Sequence, residues 1–247
     1  MLEAVDVWFR YPRSDWVMRG IDIELSNGFY CIVGRNGSGK TTLLRIFAGM
    51  LRPQKGEISI NGRPIKSYRD LVGKAIYLPS NPTAFLVGPR IEDDFQKAGV
   101  SDDLIEFFAV RDIARKKIFE ASEGERRIAT VIAALSYDVD IVLLDEVTVG
   151  LDKELRSKLV DILRRFGKRK MVLLATNDFR IIPFCDRILF LEKGRIAEDG
   201  PPIGLIGKVP YISRNQTVRI FSVLRQLGLD PELDRRAVLD LLVKCIC

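Results

Sequence analysis

An α/β fold with a mostly parallel central sheet is predicted by three observations. First, short continuous apolar runs recur at residues 29–33 (FYCIV), 141–146 (IVLLDE, apolar until its last two positions) and 171–176 (MVLLAT). Runs of this length without polar alternation suit strands buried on both faces. Second, amphipathic segments of helical spacing lie between these runs, and alternating strands and helices build a parallel sheet with helices on its faces. Third, the part of the chain before the first helix carries alternating patterns instead, which predicts an antiparallel N-terminal β portion. The chain of 247 residues has room for one large domain with a smaller subdomain.

The elements follow in order. Residues 2–9 (LEAVDVWF) and 21–25 (IDIEL) read as strands, and Asn27-Gly28 is a turn signal before the buried run at 29–33. A glycine-rich stretch then opens a helix with the sequence LLRIFAGM. Gly56 and Asn61-Gly62 bracket the strand EISI, and AIYL at 75–78 is closed by Pro79 and Pro82. Residues 82–121 lack strand patterning and carry charges at helical spacing, with apolar pairs at Leu104-Ile105 and Phe107-Phe108. They predict a small helical subdomain. Ser122 followed three residues later by Glu125 is a capping-box signature for the next helix. Residues 152–166 predict an amphipathic helix, and RILFLEKGRIAEDG a hairpin. Residues 210–247 read as a C-terminal helical extension around Gly228 and Pro231. It docks either on a sister subunit or on its own core.

Composition narrows the function classes. Hydrophobic content of 47% and charged content of 29% are those of a globular protein. No apolar run reaches the roughly 18–20 residues of a membrane span. The N-terminus lacks a signal-peptide pattern, so a cytoplasmic chain is expected. The net charge of +6 is spread out, with short basic runs only at 115–117 and 168–170, and no nucleic-acid partner is predicted. Cys31 and Cys185 sit in or beside apolar stretches as small hydrophobes, and Cys245 and Cys247 lack the further ligands a zinc site needs. The chain has no histidine, which excludes every imidazole-dependent mechanism.

The chemistry is carried by two segments. Gly34-Arg35-Asn36-Gly37-Ser38-Gly39-Lys40-Thr41 fits G-x-x-x-x-G-K-[ST], with a buried strand before it and a helix after it, and the nucleotide-binding loop runs from Gly34 to Thr42. This is the phosphate loop of a P-loop NTPase, and its ligand class is ATP with Mg²⁺. The glycines let backbone N–H groups converge on a phosphate, and the helix N-terminus faces the same anion. Lys40 supplies a point charge to the β- and γ-phosphates, and Thr41 a hydroxyl to Mg²⁺. The second segment is the strand ending in Asp145 and Glu146. Asp145 is expected to hold Mg²⁺, and Glu146 to polarise the attacking water.

Further motifs give the pair of segments a family. Ser122-Glu123-Gly124-Glu125 precedes Asp145, and Val149-Gly150-Leu151-Asp152 follows Glu146. Together they resemble the nucleotide-binding domain of ABC transporters over roughly the first 200 residues, with residues 1–209 as the ATP-binding domain. The resemblance implies that residues 122–125 are the signature motif, with Ser122 and Gly124 contacting nucleotide. It makes 149–152 the D-loop that crosses a dimer interface, and Tyr11 the aromatic that stacks on adenine. It further implies a second ABC ATPase subunit, in a homo- or heterodimer, with each ATP held between one chain's phosphate loop and the other's signature. Integral membrane transporter subunits would hold the chain peripherally on the cytoplasmic face of the membrane. Pro79-Ser80-Asn81-Pro82, Gly88-Pro89, Ile91-Glu92-Asp93-Asp94-Phe95 and the stretch at 224–231 resemble energy-coupling-factor and cobalt-type importer ATPases, which implies import.

Three positions depart from the family pattern. Ser80 stands where the Q-loop glutamine would reach Mg²⁺ and water. Glu123 stands in the signature where a glycine lets the γ-phosphate approach. At about 5 Å and an effective dielectric of about 20, such a like-charge pair costs roughly 3 kcal/mol, less with salt and side-chain rotation. Asn177 replaces the switch histidine; it can donate a hydrogen bond but carries no proton charge. Losing one preorganised donor costs on the order of 10² to 10³ in rate. The pattern predicts an ABC-type ATPase that is slow or asymmetric. The alternative is a non-hydrolysing regulatory half of a heterodimer.

Overall fold

A computed structural model of the chain describes residues 1–81, 85–178, 180–206 and 208–209. The expected extension at 210–247, Cys245 and Cys247 lie outside the described residues.

Two sheets form the frame. The first is antiparallel, in the order β2-β1-β4-β5, from β1 (Leu2–Phe9), β2 (Met18–Leu25), β4 (Lys55–Ile60) and β5 (Arg63–Pro64). The second is six-stranded, in the order β10-β9-β3-β8-β7-β6. Here β3 (Gly28–Val33), β6 (Ala75–Leu78), β7 (Ile141–Asp145), β8 (Met171–Ala175) and β9 (Arg187–Glu192) are parallel. Only β10 (Arg195–Gly200) runs against its neighbour. The expected mixture of a parallel sheet and an antiparallel N-terminal portion is what folds.

Every residue of β3, β7 and β8 is buried, because both faces of the sheet are covered. Alternate residues serve alternate cores, as the two-residue side-chain period requires. Phe29, Cys31, Val142, Leu144, Val172 and Leu174 face one cluster. Tyr30, Ile32, Leu143 and Leu173 face the other. The first cluster is closed by α5 (Glu123–Ser136), α6 (Lys153–Gly167) and the short helices α2 (Ile91–Ala98), α3 (Asp102–Phe108) and α4 (Arg111–Ala114). The second is closed by α1 (Lys40–Phe47) together with the antiparallel sheet. The sequence predicted helices on both faces, but one face is shared between a single helix and a sheet. The alternating strands 2–9 and 18–25 have one apolar side to bury, and α1 alone cannot cover it.

Local signals account for the joints. The capping box of α5 is present: Ser122 Oγ accepts from Glu125 N at 3.2 Å and Glu125 Oε2 from Ser122 N at 2.8 Å. Asp152 caps α6 through Leu155 N at 2.8 Å. In the helical segment, the buried Asp94 carboxylate accepts from the backbone N–H groups of Val87 and Gly88. Cys31 and Cys185 are buried, as expected of small hydrophobes. Among the described residues, no helix is long and apolar enough to cross a membrane.

Candidate functional site

The phosphate loop links β3 to α1, so it emerges at the carboxyl edge of the parallel sheet. In an open α/β sheet this is where ligands bind. Gly37 and Gly39 hold the loop with φ of +80° and +105°, a region that favours glycine. No acidic residue lies in the first turn of α1, leaving its positive end free for an anion. Ser38 Oγ is buried without a hydrogen-bond partner among the described residues. An orphaned buried hydroxyl inside a glycine-rich loop fits a phosphate oxygen.

Lys40 is buried, and its ammonium donates to Gly34 O at 2.9 Å and lies 3.8 Å from Glu146 Oε1. Burial lowers its pKa, opposed by the charges of Glu146 and Asp145. Thr41 Oγ1 donates to Asp145 Oδ1 at 3.2 Å, joining the two chemistry-bearing segments. The other carboxylate oxygen, Asp145 Oδ2, accepts from Tyr77 Oη at 3.2 Å. Glu146 follows β7 with φ +50°, while its N–H continues the sheet by donating to Ala175 O at 2.9 Å. A left-handed backbone at a non-glycine residue is strain of the kind that concentrates at functional sites. Burial pushes the Glu146 carboxyl up; Lys40 opposes this and Asp145 adds to it. The backbone of Asn177 also acts to lower it. The Asn177 side chain spans the loop: with nitrogen on Gly34 O (2.7 Å) and oxygen on Lys40 Nζ (3.1 Å), both amide ends are satisfied. Asn36 is 3.0 Å from it.

The arrangement combines an anion-binding loop, a cation inside it, a hydroxyl–carboxylate pair and a second carboxylate. The sequence model of the family described as ABC transporter matches residues 18–149, more than half of the chain. The chain belongs to the ABC transporter family. It is an ATP-binding subunit of that family, with the P-loop ATPase fold. A similar protein is the energy-coupling factor transporter ATP-binding protein EcfA of Methanocaldococcus jannaschii, 28% identical over 87% of this chain and 84% of that protein. Another is EcfA1 of Mycoplasmopsis synoviae, also 28% identical, covering 94% and 95%. Among solved structures, cbiO1 from Clostridium perfringens, part of the ABC transporter complex cbiONQ, superposes with a TM-score of 0.74. It is 22% identical, over 92% of this chain and 95% of that one. The ATP-binding cassette MJ0796, solved as a dimer bound to ADP and Pi, gives a TM-score of 0.70 at 19% identity, over 81% and 98%.

Within this ABC frame the remaining predicted residues divide. Tyr11 is partly buried beside the start of α1, with its hydroxyl 3.3 Å from Thr42 Oγ1 and its ring edge-on to Phe9. Arg35 is exposed on the loop. Ser122 uses its hydroxyl to cap α5, and a Cβ on Gly124 would stand 3.3 Å from Gly150 O in the D-loop. Ser80 is exposed; what it turns inward is its carbonyl, which accepts from Arg127 Nη1 at 3.0 Å. The hydroxyl of Ser80 is not among the partners of Thr41 or Asp145.

Three residues were missed by sequence reasoning. Tyr77 supports Asp145, and its own hydroxyl is pushed up in pKa by burial against the pull of Arg45. Arg156 on α6 lies with Nε 3.1 Å from Asp178 Oδ2 and donates to Leu151 O, tying the D-loop to the segment after Asn177. Arg127 donates to two loop carbonyls and to Glu123. The spacing of Glu123 and Arg127, four apart on a helix, was a usable signal for that pair. Nothing in the sequence linked Tyr77 or Arg156 to their partners.

Proposed function

We propose that the chain is the hydrolysing ATP subunit of an importer, acting as one of two ATPase subunits on membrane partners at the cytoplasmic face. The observation that carries this reading is the contact of the Thr41 hydroxyl with the Asp145 carboxylate, beside the Lys40–Glu146 pair. In this reading residues 34–42 wrap the phosphates, Lys40 leaves Gly34 O for them, and Tyr11 stacks on adenine. Thr41 and Asp145 form an oxygen-donor pair suited to Mg²⁺. Among the described residues there is no cluster of metal-ligating side chains, as suits an ion held jointly with nucleotide. Bound Mg²⁺ would neutralise charge on the transferred phosphoryl group.

Glu146 accepts a proton from the attacking water, and its raised pKa makes it a better base. Asn177 holds the phosphate side of the site through its amide. In this reading residues 1–209 serve as the ATP-binding domain, with the helical segment of 82–121 as its insertion. Similarity to energy-coupling-factor subunits supports import. Ser80, Glu123 and Asn177 make turnover slow, or dependent on a partner whose signature is intact. Phosphate release from Mg²⁺-ATP by the purified chain is compared with Glu146→Gln. Turnover that disappears in the variant supports the proposal. ATP binding without turnover in the parent, with or without a partner ATPase, points to a regulatory half instead.

A further inference from the structure

Arg127 is even more deeply enclosed than Lys40, and the proposed hydrolysis leaves it without a role. It lies in the first turns of α5, with its side chain only 7% exposed. Its guanidinium joins three segments that are far apart in sequence. Nη1 donates to Ser80 O at 3.0 Å, in the loop after β6, and to Glu146 O at 3.2 Å, in the turn after β7. Nη2 donates to Glu123 Oε1 at 3.0 Å. The planar fork of an arginine can serve several acceptors at once, whereas a lysine ammonium offers a compact point charge.

Two features give this junction a purpose. Glu146 has a left-handed backbone, which persists only where its surroundings over-determine it. Its N–H is fixed by Ala175 O and its C=O by Arg127, so both sides of the strained residue are held. Glu123 is the charged residue in the signature segment, and its side chain is 72% exposed. An arginine one helical turn on draws that carboxylate back along its own helix.

We propose that Arg127 is a positioning residue for Glu146, and that its pairing with Glu123 diverts the Glu123 charge from nucleotide phosphate. The inference rests on the ATPase reading. It explains how a carboxylate is accommodated in the signature: the neutralising charge comes from the same helix, and that charge also braces the catalytic turn. Removing Arg127 therefore does two things at once. It loosens the Glu146 backbone and it releases the Glu123 carboxylate.

The test uses the full chain with Mg²⁺-ATP, carrying Arg127→Met, Glu123→Gln and both together. Expected for Arg127→Met is a loss of kcat on the order of 10²-fold, the scale of a small misplacement of a catalytic group, with KM for ATP much less affected. Expected also is a gain from Glu123→Gln that is about threefold or more larger in the Arg127→Met background than in the parent. Backbone hydrogen exchange without nucleotide is measured on the same proteins, and it should accelerate at 144–149 in Arg127→Met. Arg127→Lys, which keeps the charge but not the fork, should show the same acceleration and serves if the methionine variant does not fold. Equal effects of Glu123→Gln in both backgrounds, or unchanged exchange at 144–149, overturn the proposal. If Glu146→Gln shows that the parent has no turnover, the ATPase reading has failed, and the exchange experiment alone decides the role of Arg127.

Discussion

Two glycines of the phosphate loop should respond very differently to the same substitution. At Gly37, φ is +80° and an added Cβ meets nothing within 4 Å. Alanine there suffers only backbone strain of about 1–2 kcal/mol, partly offset by about 0.4–1 kcal/mol from a less flexible unfolded chain. A net loss of about 1 kcal/mol follows from these two effects. Gly34 differs because its obstacle is steric: a Cβ would stand 2.3 Å from Leu191 O and 2.7 Å from Ser38 Oγ. The first of these is a backbone atom of β9, which is paired with both β3 and β10 and cannot rotate aside. Relief needs a shift of about 1 Å of loop or strand, and overpacking of this kind costs about 1–3 kcal/mol. Gly34→Ala should fall at the top of that range. It should also weaken ATP binding, since the forced shift displaces the loop whose backbone N–H groups converge on phosphate. Urea unfolding without nucleotide gives the stability order, and a fluorescent ATP analogue gives affinity. A Gly37→Ala loss equal to or larger than that of Gly34→Ala would refute the steric reasoning.

Three more outcomes are expected. The acid limb of the kcat profile should lie above the ordinary glutamate value of about 4.3, because burial raises Glu146 and a base works only when ionised. Rates therefore rise with pH through that limb, and Glu146→Gln should remove it. Tyr77→Phe deletes the hydroxyl that supports Asp145. It should raise the Mg²⁺ concentration for half-maximal nucleotide binding by about tenfold, the low end for losing an outer partner of a metal ligand; an unchanged Mg²⁺ titration would disprove that role. Arg156→Met leaves the buried Asp178 with Arg180 as its remaining ion-pair partner. Breaking a buried pair costs about 3–5 kcal/mol when no partner remains, so about 2 kcal/mol is expected here, read as a lower urea midpoint at constant m-value.

The central strands were legible because a strand covered on both faces must be apolar nearly throughout, as β3, β8 and β7 up to Asp145 are. The phosphate loop, Asp145 and Glu146 were legible because their chemistry needs particular residue types in fixed order. The cap of α5 was legible because it involves residues three apart. What covers the second face of the sheet was not legible. That depends on how the antiparallel sheet folds over α1, and no local pattern encodes a contact between two elements.

The departures at Ser80, Glu123 and Asn177 show the same division. The sequence by itself determined that each residue differs from the family pattern and what its functional groups can donate or accept. Only the tertiary structure decided where those groups go: Asn177 onto Lys40 and Gly34, Ser80 inward through its carbonyl, and Glu123 onto Arg127. The physical reason is that a motif fixes the order of residues along one segment. A hydrogen bond between Arg127 and Glu146 is instead set by the packing of α5 against the end of β7, which only the folded chain brings together.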